Sequence, residues 1–107
     1  MRKELGVYHN QYIEIEAEYM RLATSHNQHN LLFRNIVHEG TIITDHIWIP
    51  MSVIRNAKEV NSVKLKKHTV YKMRGKVYTY LKYSKSEKKM IQDYCLRSIR
   101  MSHGGIK

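Results

Sequence analysis

Apolar and polar residues alternate through two long segments of the chain. In residues 12–24 the apolar positions are Ile13, Ile15, Ala17 and Tyr19, and the positions between them are Glu14, Glu16, Glu18 and Met20. The second segment, residues 69–83, alternates in the same way around Gly75. A period of two is typical of a strand with one buried face, and a glycine inside a strand indicates a bend, a bulge or a close backbone approach. The pattern therefore predicts two long strands, the second of them bent.

A β-hairpin is predicted between these two segments. Residues 30–38 and 41–49 are rich in β-branched and aromatic side chains, and Glu39-Gly40 between them suits a two-residue turn. Pro50 ends the second strand, and the polar residues 25–30 predict a loop before the first. With a regular ladder across this turn, three pairs of residues oppose each other: Arg34 and Asp45, Phe33 and His46, and Leu31 and Trp48.

Two orientations of this hairpin remain open. If the side carrying Arg34 and Asp45 faces outward, these residues form an exposed ion pair and Phe33 and Trp48 belong to the core. If the other side faces outward, Phe33, His46 and Trp48 form a platform on which bases can stack. A register slip of one residue exchanges the two sides.

A short helix and a closing strand complete the predicted elements. Ser52 is a suitable N-cap, so we predict a helix over residues 52–60. The tail, residues 85–102, has two interpretations. Ser84 and Glu87 have the spacing of a helical capping box, whereas residues 93–101 fit a strand. We favour the strand, because the long sheet needs a partner at its edge.

The order of these elements resembles the OB-fold, a five-stranded Greek-key barrel with a helix between its third and fourth strands. This resemblance covers nearly the whole chain and implies one domain over residues 1–107. The chain is also similar to small uncharacterised proteins of phages and mobile elements, through residues 43–46 (Ile-Thr-Asp-His) and 93–96 (Asp-Tyr-Cys-Leu). That similarity assigns no catalytic residue.

Composition supports a packed domain and excludes several classes. Hydrophobic residues make up 42% of the 107 residues and charged residues 26%, which is compatible with a core. One cysteine excludes a disulfide framework. No apolar run is long enough to span a membrane, so we expect no membrane partner. The N-terminal sequence MRKELGVYHNQ lacks the apolar region of a signal peptide, and we therefore expect a cytoplasmic protein.

The charge is strongly basic and unevenly distributed. The net charge is +10, yet residues 1–54 carry four basic and six acidic side chains. Residues 55–107 carry fifteen basic and three acidic ones. One domain with a basic side explains this asymmetry, and such a side favours a polyanionic partner, most often nucleic acid.

The second long strand carries most of the predicted site. Its alternate residues, which we call the β4 stripe, are Lys72, Arg74, Lys76, Tyr78, Tyr80 and Lys82. Cations neutralise phosphates and tyrosine rings stack on unpaired bases. The opposite face is predicted to point into the core and consists of Tyr71, Met73, Gly75, Val77, Thr79, Leu81 and Tyr83. The alternative is that Glu14, Glu16 and Glu18 pair with the stripe across the strands and cancel its charge.

Lysines on both sides of this strand extend the basic surface. They are Lys64, Lys66 and Lys67 before it, and Lys85, Lys88 and Lys89 after it. The histidines, including His26 and His29, give no complete zinc-ligand set, and nothing places Cys95 as a nucleophile, so we expect no metal, no cofactor and no enzymatic activity.

Two functions fit this sequence. The first is non-enzymatic binding of single-stranded DNA or RNA through the basic, tyrosine-containing surface. The second is a protein-interaction module encoded by a mobile element, an inhibitor or adaptor that docks on an acidic protein or a nucleoprotein complex.

Overall fold

Five antiparallel strands form one sheet in the computed structural model, which describes residues 3–25, 27–63 and 65–102. The strands are β1 (Tyr12–Ser25), β2 (Gln28–His38), β3 (Thr41–Pro50), β4 (Val70–Ser84) and β5 (Lys89–Met101), and their order in the sheet is β3-β2-β1-β4-β5. Two 3-10 helices, Lys3–Tyr8 and Met51–Val53, and the α-helix α1 (Ala57–Val63) complete the described elements. None of these helices is long and apolar enough to cross a membrane.

The sheet curls into a nearly closed barrel. Ile54, just after β3, pairs in parallel with Ile99 of β5, and the Arg55 N–H donates to the Ile99 carbonyl at 2.6 Å. The segment that follows edge strand β3 thus meets edge strand β5 at one point, and α1 lies in the crossover between β3 and β4. This arrangement confirms the predicted fold class, a mainly β, OB-like five-stranded barrel with one α-helix in the described ranges.

Alternate residues of the strands fill the barrel. The interior faces of β1, β2 and the first half of β4 supply buried side chains, among them Ile13, Ile15, Ala17, Tyr19, Phe33, Ile36, Tyr71, Met73 and Val77. Gly75 lies where β4 and β5 approach closely. A Cβ atom at this position would be only 2.9 Å from Cγ1 of Ile99, so a larger residue would not fit without a shift. The period-two prediction is therefore confirmed for β1 and for residues 71–77 of β4.

The hairpin turn is confirmed, but its predicted register is wrong. Glu39 and Gly40 have φ angles of 51° and 81°, the positive values that a type I′ turn requires. The ladder keeps the predicted register only next to the turn, because a bulge between Ile36 and Val37 inserts one extra residue in β3. Beyond the bulge Arg34 opposes His46, Phe33 opposes Ile47, and Leu31 opposes Ile49.

The predicted helix over residues 52–60 is also wrong in its bounds. Ile54 is extended, with φ −92° and ψ 116°, because it pairs with β5. This pairing separates the 3-10 turn at Met51–Val53 from α1, which begins at Ala57. Ser52 therefore lies inside the 3-10 turn and does not cap a helix.

The tail is a strand, as we favoured, and it pairs with β4 from Ser84 to Met73. The Glu87 N–H does donate to Ser84 Oγ at 3.2 Å, the contact of a capping box, but within the turn that joins β4 to β5. The predicted loop over residues 25–30 is shorter than expected, because β2 already begins at Gln28.

The hairpin end of β4 and β5 extends beyond the packed core. Leu81 was predicted to be buried, yet 68% of its surface is exposed, and Tyr83 is 59% exposed. These two positions have the correct parity for the interior, but no element covers them in the described part of the chain. The predicted core face of β4 therefore ends near Thr79, which is half-buried.

Candidate nucleic-acid interface

The first half of the β4 stripe lies on the outer surface of the barrel, between two other strands. Lys72 and Arg74 are exposed and Lys76 is half-buried. Arg74 is opposed by Glu14 of β1 on one side and by Arg100 of β5 on the other. Lys76 is opposed in the same way by Tyr12 and Arg97. The predicted line of cations is therefore a surface three strands wide.

A bulge in β5 brings two arginines onto this surface. Arg97 and Arg100 are three residues apart, so in a regular strand they would face opposite sides. Ser98 has a φ angle of 52°, and the β4–β5 register shifts between Arg74 and Lys76. The extra residue places both arginines beside outward-facing residues of β4. Sequence reasoning missed them because the bulge breaks the period of two.

A groove lies next to this three-stranded surface. Its volume is about 790 Å³, and four cations, two carboxylates and a tyrosine are prominent in its lining: Arg55, Lys72, Arg74, Arg100, Glu14, Glu59 and Tyr12. Asn56, also in the lining, is buried, and its side-chain amide bonds to Met101 twice, donating to the carbonyl at 2.6 Å and accepting from the N–H at 3.0 Å. These two bonds attach the segment before α1 to β5, next to the groove.

Among the residues that the structure describes, Glu14 and Glu16 of β1 lie opposite cations of β4 without forming ion pairs with them. The predicted alternative is correct in register, since Glu14 opposes Arg74 and Glu16 opposes Lys72. In the described part of the chain, however, no ion pair joins these carboxylates to the β4 cations. Glu18 instead contacts Arg34 at 2.9 Å and His68 at 3.1 Å. Hydrogen bonds from these two residues hold the pKa of the Glu18 carboxyl below its ordinary value.

Two tyrosines accompany the cations. Tyr12 is 46% exposed, and its ring lies 5.0 Å from the guanidinium carbon of Arg74 and 5.9 Å from Nζ of Lys76. Lys76 Nζ also lies 5.3 Å from the ring of Tyr78. Tyr12 was missed from sequence, although it shares the outward parity of Glu14 and Glu16.

The second half of the β4 stripe surrounds a buried carboxylate. Asp93 of β5 is fully buried, and its Oδ2 atom accepts from Lys82 Nζ at 2.8 Å and from the Tyr80 hydroxyl at 3.3 Å. Its Oδ1 atom accepts the Tyr94 N–H at 2.8 Å. Tyr80 and Lys82 thus have structural partners, and the most accessible part of the predicted stripe is Lys72 and Arg74.

We expect Lys82→Ala to affect folding more than binding. Removing the ammonium leaves Asp93 buried with one charged donor fewer, which should lower the free energy of unfolding by about 1–3 kcal/mol. Affinity for a short oligonucleotide should change less than threefold. Urea unfolding and fluorescence anisotropy measure the two quantities, and the exposed Lys85→Ala is the matched control. A large loss of affinity at unchanged stability would place Lys82 in the binding site.

The two further lysine groups lie at opposite ends of β4. Lys66 and Lys67 are exposed in the connector that precedes the strand, near the groove end, whereas Lys64 lies outside the described residues. Lys85, Lys88 and Lys89 are exposed at the turn that joins β4 to β5, and we call this end of the two strands the hairpin tip. Lys85 is eleven positions after Arg74, a distance of about 36 Å along an extended strand. A short ligand in the groove would not reach the tip.

The proposed platform of Phe33, His46 and Trp48 does not form. Phe33 is fully buried beside Tyr19, with ring centroids 5.7 Å apart, so its ring is not available for stacking. His46 is exposed and contacts Asp45 at 3.0 Å. Trp48 is half-buried and lies under the Arg21 guanidinium at 5.2 Å. The bulge between β2 and β3 places Phe33 on the inner side of the sheet and His46 and Trp48 on its outer side.

No group of three or more metal-ligating side chains occurs among the residues that the structure describes. His26 and His103 lie outside those residues. Cys95 is a half-buried free thiol that opposes Tyr78.

Comparisons of this chain with protein-family models, with curated proteins and with solved structures give no match. The OB-like assignment therefore rests on strand order, the position of α1 and the contact that closes the barrel.

Proposed function

We propose that this protein binds single-stranded nucleic acid, DNA or RNA, in the groove formed by β1, β4, β5 and the segment before α1. The observation that carries the proposal is the groove itself, whose lining combines an exposed tyrosine with four cations that have no ion-pair partners in the described residues. The proposed activity is binding without catalysis, and no cofactor takes part.

The charges of the groove suit a phosphate backbone. Lys72, Arg74 and Arg100 lie on adjacent strands, and Arg55, in the segment before α1, lines the same groove. Cations on these strands and on this segment can contact successive phosphates of one strand, with release of condensed counterions. If three to five phosphates are bound, the slope of log K against log salt should be about −2 to −3.5.

The aromatic rings of this surface favour a single strand over a duplex. Stacking needs unpaired bases, because the faces of paired bases are covered by their neighbours. Tyr12 at the groove and Tyr78 next to it supply such rings, each with a cation close by. Anisotropy titrations with single-stranded and duplex oligonucleotides of equal length test the proposal. Equal or tighter binding of the duplex would contradict it.

We expect Tyr12→Ala to weaken binding by about 1–3 kcal/mol while leaving the salt slope nearly unchanged, because it removes stacking and no phosphate contact. Tyr83→Ala is the matched control, since Tyr83 is also exposed but lies at the hairpin tip. Affinities at four salt concentrations separate the two effects. If the two variants lose affinity equally, Tyr12 has no special role.

A second candidate function is supported by the hairpin tip. Tyr83 opposes Met90, which is 55% exposed, and Leu81 lies on the same face, so three large apolar side chains form one exposed surface. Apolar surfaces of this kind commonly mark protein contacts. The neighbouring lysines, Lys85, Lys88 and Lys89, favour an acidic partner.

This second candidate corresponds to the interaction module of a phage or mobile element, an inhibitor or adaptor that docks on an acidic protein or a nucleoprotein complex. The first candidate predicts that the double variant Leu81→Ser, Met90→Ser binds oligonucleotides like the unmodified chain. If the folded chain binds no oligonucleotide even at low salt, the second candidate becomes the better one.

A further inference from the structure

The groove contains a carboxylate whose position phosphate binding does not explain. Glu14 is exposed and lies between Tyr12, two residues earlier on β1, and Arg74 on β4. In the described part of the chain its carboxylate has no hydrogen bond or ion pair, and the Arg74 guanidinium lies over the Tyr12 ring instead. A negative charge beside bound phosphates is unfavourable, unless the carboxylate binds another part of the ligand.

The spacing along β1 brings Glu14 to the edge of a base stacked on Tyr12. Residues i and i+2 lie on the same face of a strand, about 6.6–6.8 Å apart. A base on the Tyr12 ring would therefore present its edge to the Glu14 side chain. An ionised carboxylate only accepts hydrogen bonds, so it selects edges that donate.

Guanine offers the best edge for this purpose. Its Watson–Crick edge carries two adjacent donors, N1–H and the N2 amino group, which match the two oxygens of a carboxylate. Thymine and uracil have one donor between two carbonyl oxygens, and these oxygens repel a carboxylate. Adenine and cytosine present one amino group beside an acceptor nitrogen. Proteins read single-stranded bases through these edges.

We propose that the groove prefers guanine, with the base stacked on Tyr12 and its N1–H and N2 amino group donating to Glu14. This inference rests on the proposed function and adds a base preference to contacts with phosphates, which carry none. A bidentate contact of this kind should give about a tenfold preference over thymine.

The test uses hexanucleotides that alternate thymidine with deoxyguanosine, deoxyinosine or deoxyadenosine, and an all-thymidine hexanucleotide, in anisotropy titrations. Inosine lacks only the N2 amino group of guanine, so it isolates the second hydrogen bond from purine stacking. We expect the guanine oligonucleotide to bind about tenfold more tightly than all-thymidine, and the inosine one to lose most of this gain.

Two variants with the same net charge test whether Glu14 causes the guanine preference. Glu14→Gln should abolish it and raise affinity for the all-thymidine strand, because a negative charge is removed. Glu16→Gln is the matched control: Glu16 lies on the same face of β1 and is absent from the groove lining. It should leave the preference intact.

The outcomes of this experiment separate the guanine preference from the proposed function, which is binding of single-stranded nucleic acid. Equal binding of the guanine, inosine and thymidine strands would overturn the guanine preference while leaving the proposed function in place. A preference that persists in Glu14→Gln would overturn the assigned role of Glu14. If none of the strands binds to the folded chain, the proposed function and the inference fall together.

Discussion

Replacing Lys72, Arg74 and Arg100 by alanine should lower affinity for single-stranded oligonucleotides about a hundredfold at 0.1 M salt. Each phosphate contact on a single strand contributes about 0.7 to the salt slope, which corresponds to about fivefold in affinity at this salt concentration. The three residues line one groove and have no ion-pair partners in the described residues. Their loss should also make the salt slope shallower by about 2.

The matched control removes three lysines from the hairpin tip. The triple alanine variant of Lys85, Lys88 and Lys89 has the same net charge as the groove variant, so general attraction is reduced equally. With a hexanucleotide we expect it to lose less than tenfold in affinity. If both variants lose affinity equally, net charge alone explains the binding and the groove is not the site.

Phe33→Ala should destabilise the fold by about 3–5 kcal/mol, the range for a large aromatic side chain removed from a core. Phe33 has no exposed surface and packs against Tyr19 inside the barrel. Since domains are stable by about 5–15 kcal/mol, this loss removes from about a fifth up to all of the stability of the fold. Urea denaturation followed by circular dichroism measures the loss.

Leu81→Ala is the comparison that separates burial from hydrophobicity. Leu81 is apolar and has inward parity, but it is 68% exposed, so its truncation should change stability by no more than about 0.5 kcal/mol. If Leu81→Ala destabilises the chain as strongly as Phe33→Ala, the hairpin tip is packed against something else. If Phe33→Ala keeps its stability but loses affinity, the ring is accessible to a ligand.

The alternation of residues was sufficient to predict most of the fold. Ile13, Ile15 and Ala17 are buried as their period predicts, and the turn at Glu39-Gly40 lies where its residues favour it. The pattern did not show where the core ends. Leu81 continues the alternation of β4, yet burial at that position depends on whether another element reaches it, which is a property of the whole barrel.

The candidate site was predictable only where the strands are regular. Lys72 and Arg74 face outward as expected. Arg97 and Arg100 share that face because of a bulge at Ser98, whose positive φ is unusual for serine and has no reliable sequence pattern. A second bulge, near Ile36, shifts the pairing of β2 with β3, so Phe33 faces inward whereas His46 and Trp48 of β3 face outward. In both cases one inserted residue reverses the parity of everything beyond it.

The central claim is that single-stranded nucleic acid occupies the groove between β1, β4, β5 and the segment before α1. Chemical-shift mapping of the ¹⁵N-labelled chain during titration with an unlabelled hexanucleotide tests it directly. The account predicts that the backbone amides of Tyr12, Arg74 and Arg100 shift on binding, whereas those of His46 and Trp48 on β3 do not. Shifts confined to β3 or to the hairpin tip, or no shifts at low salt, would contradict it.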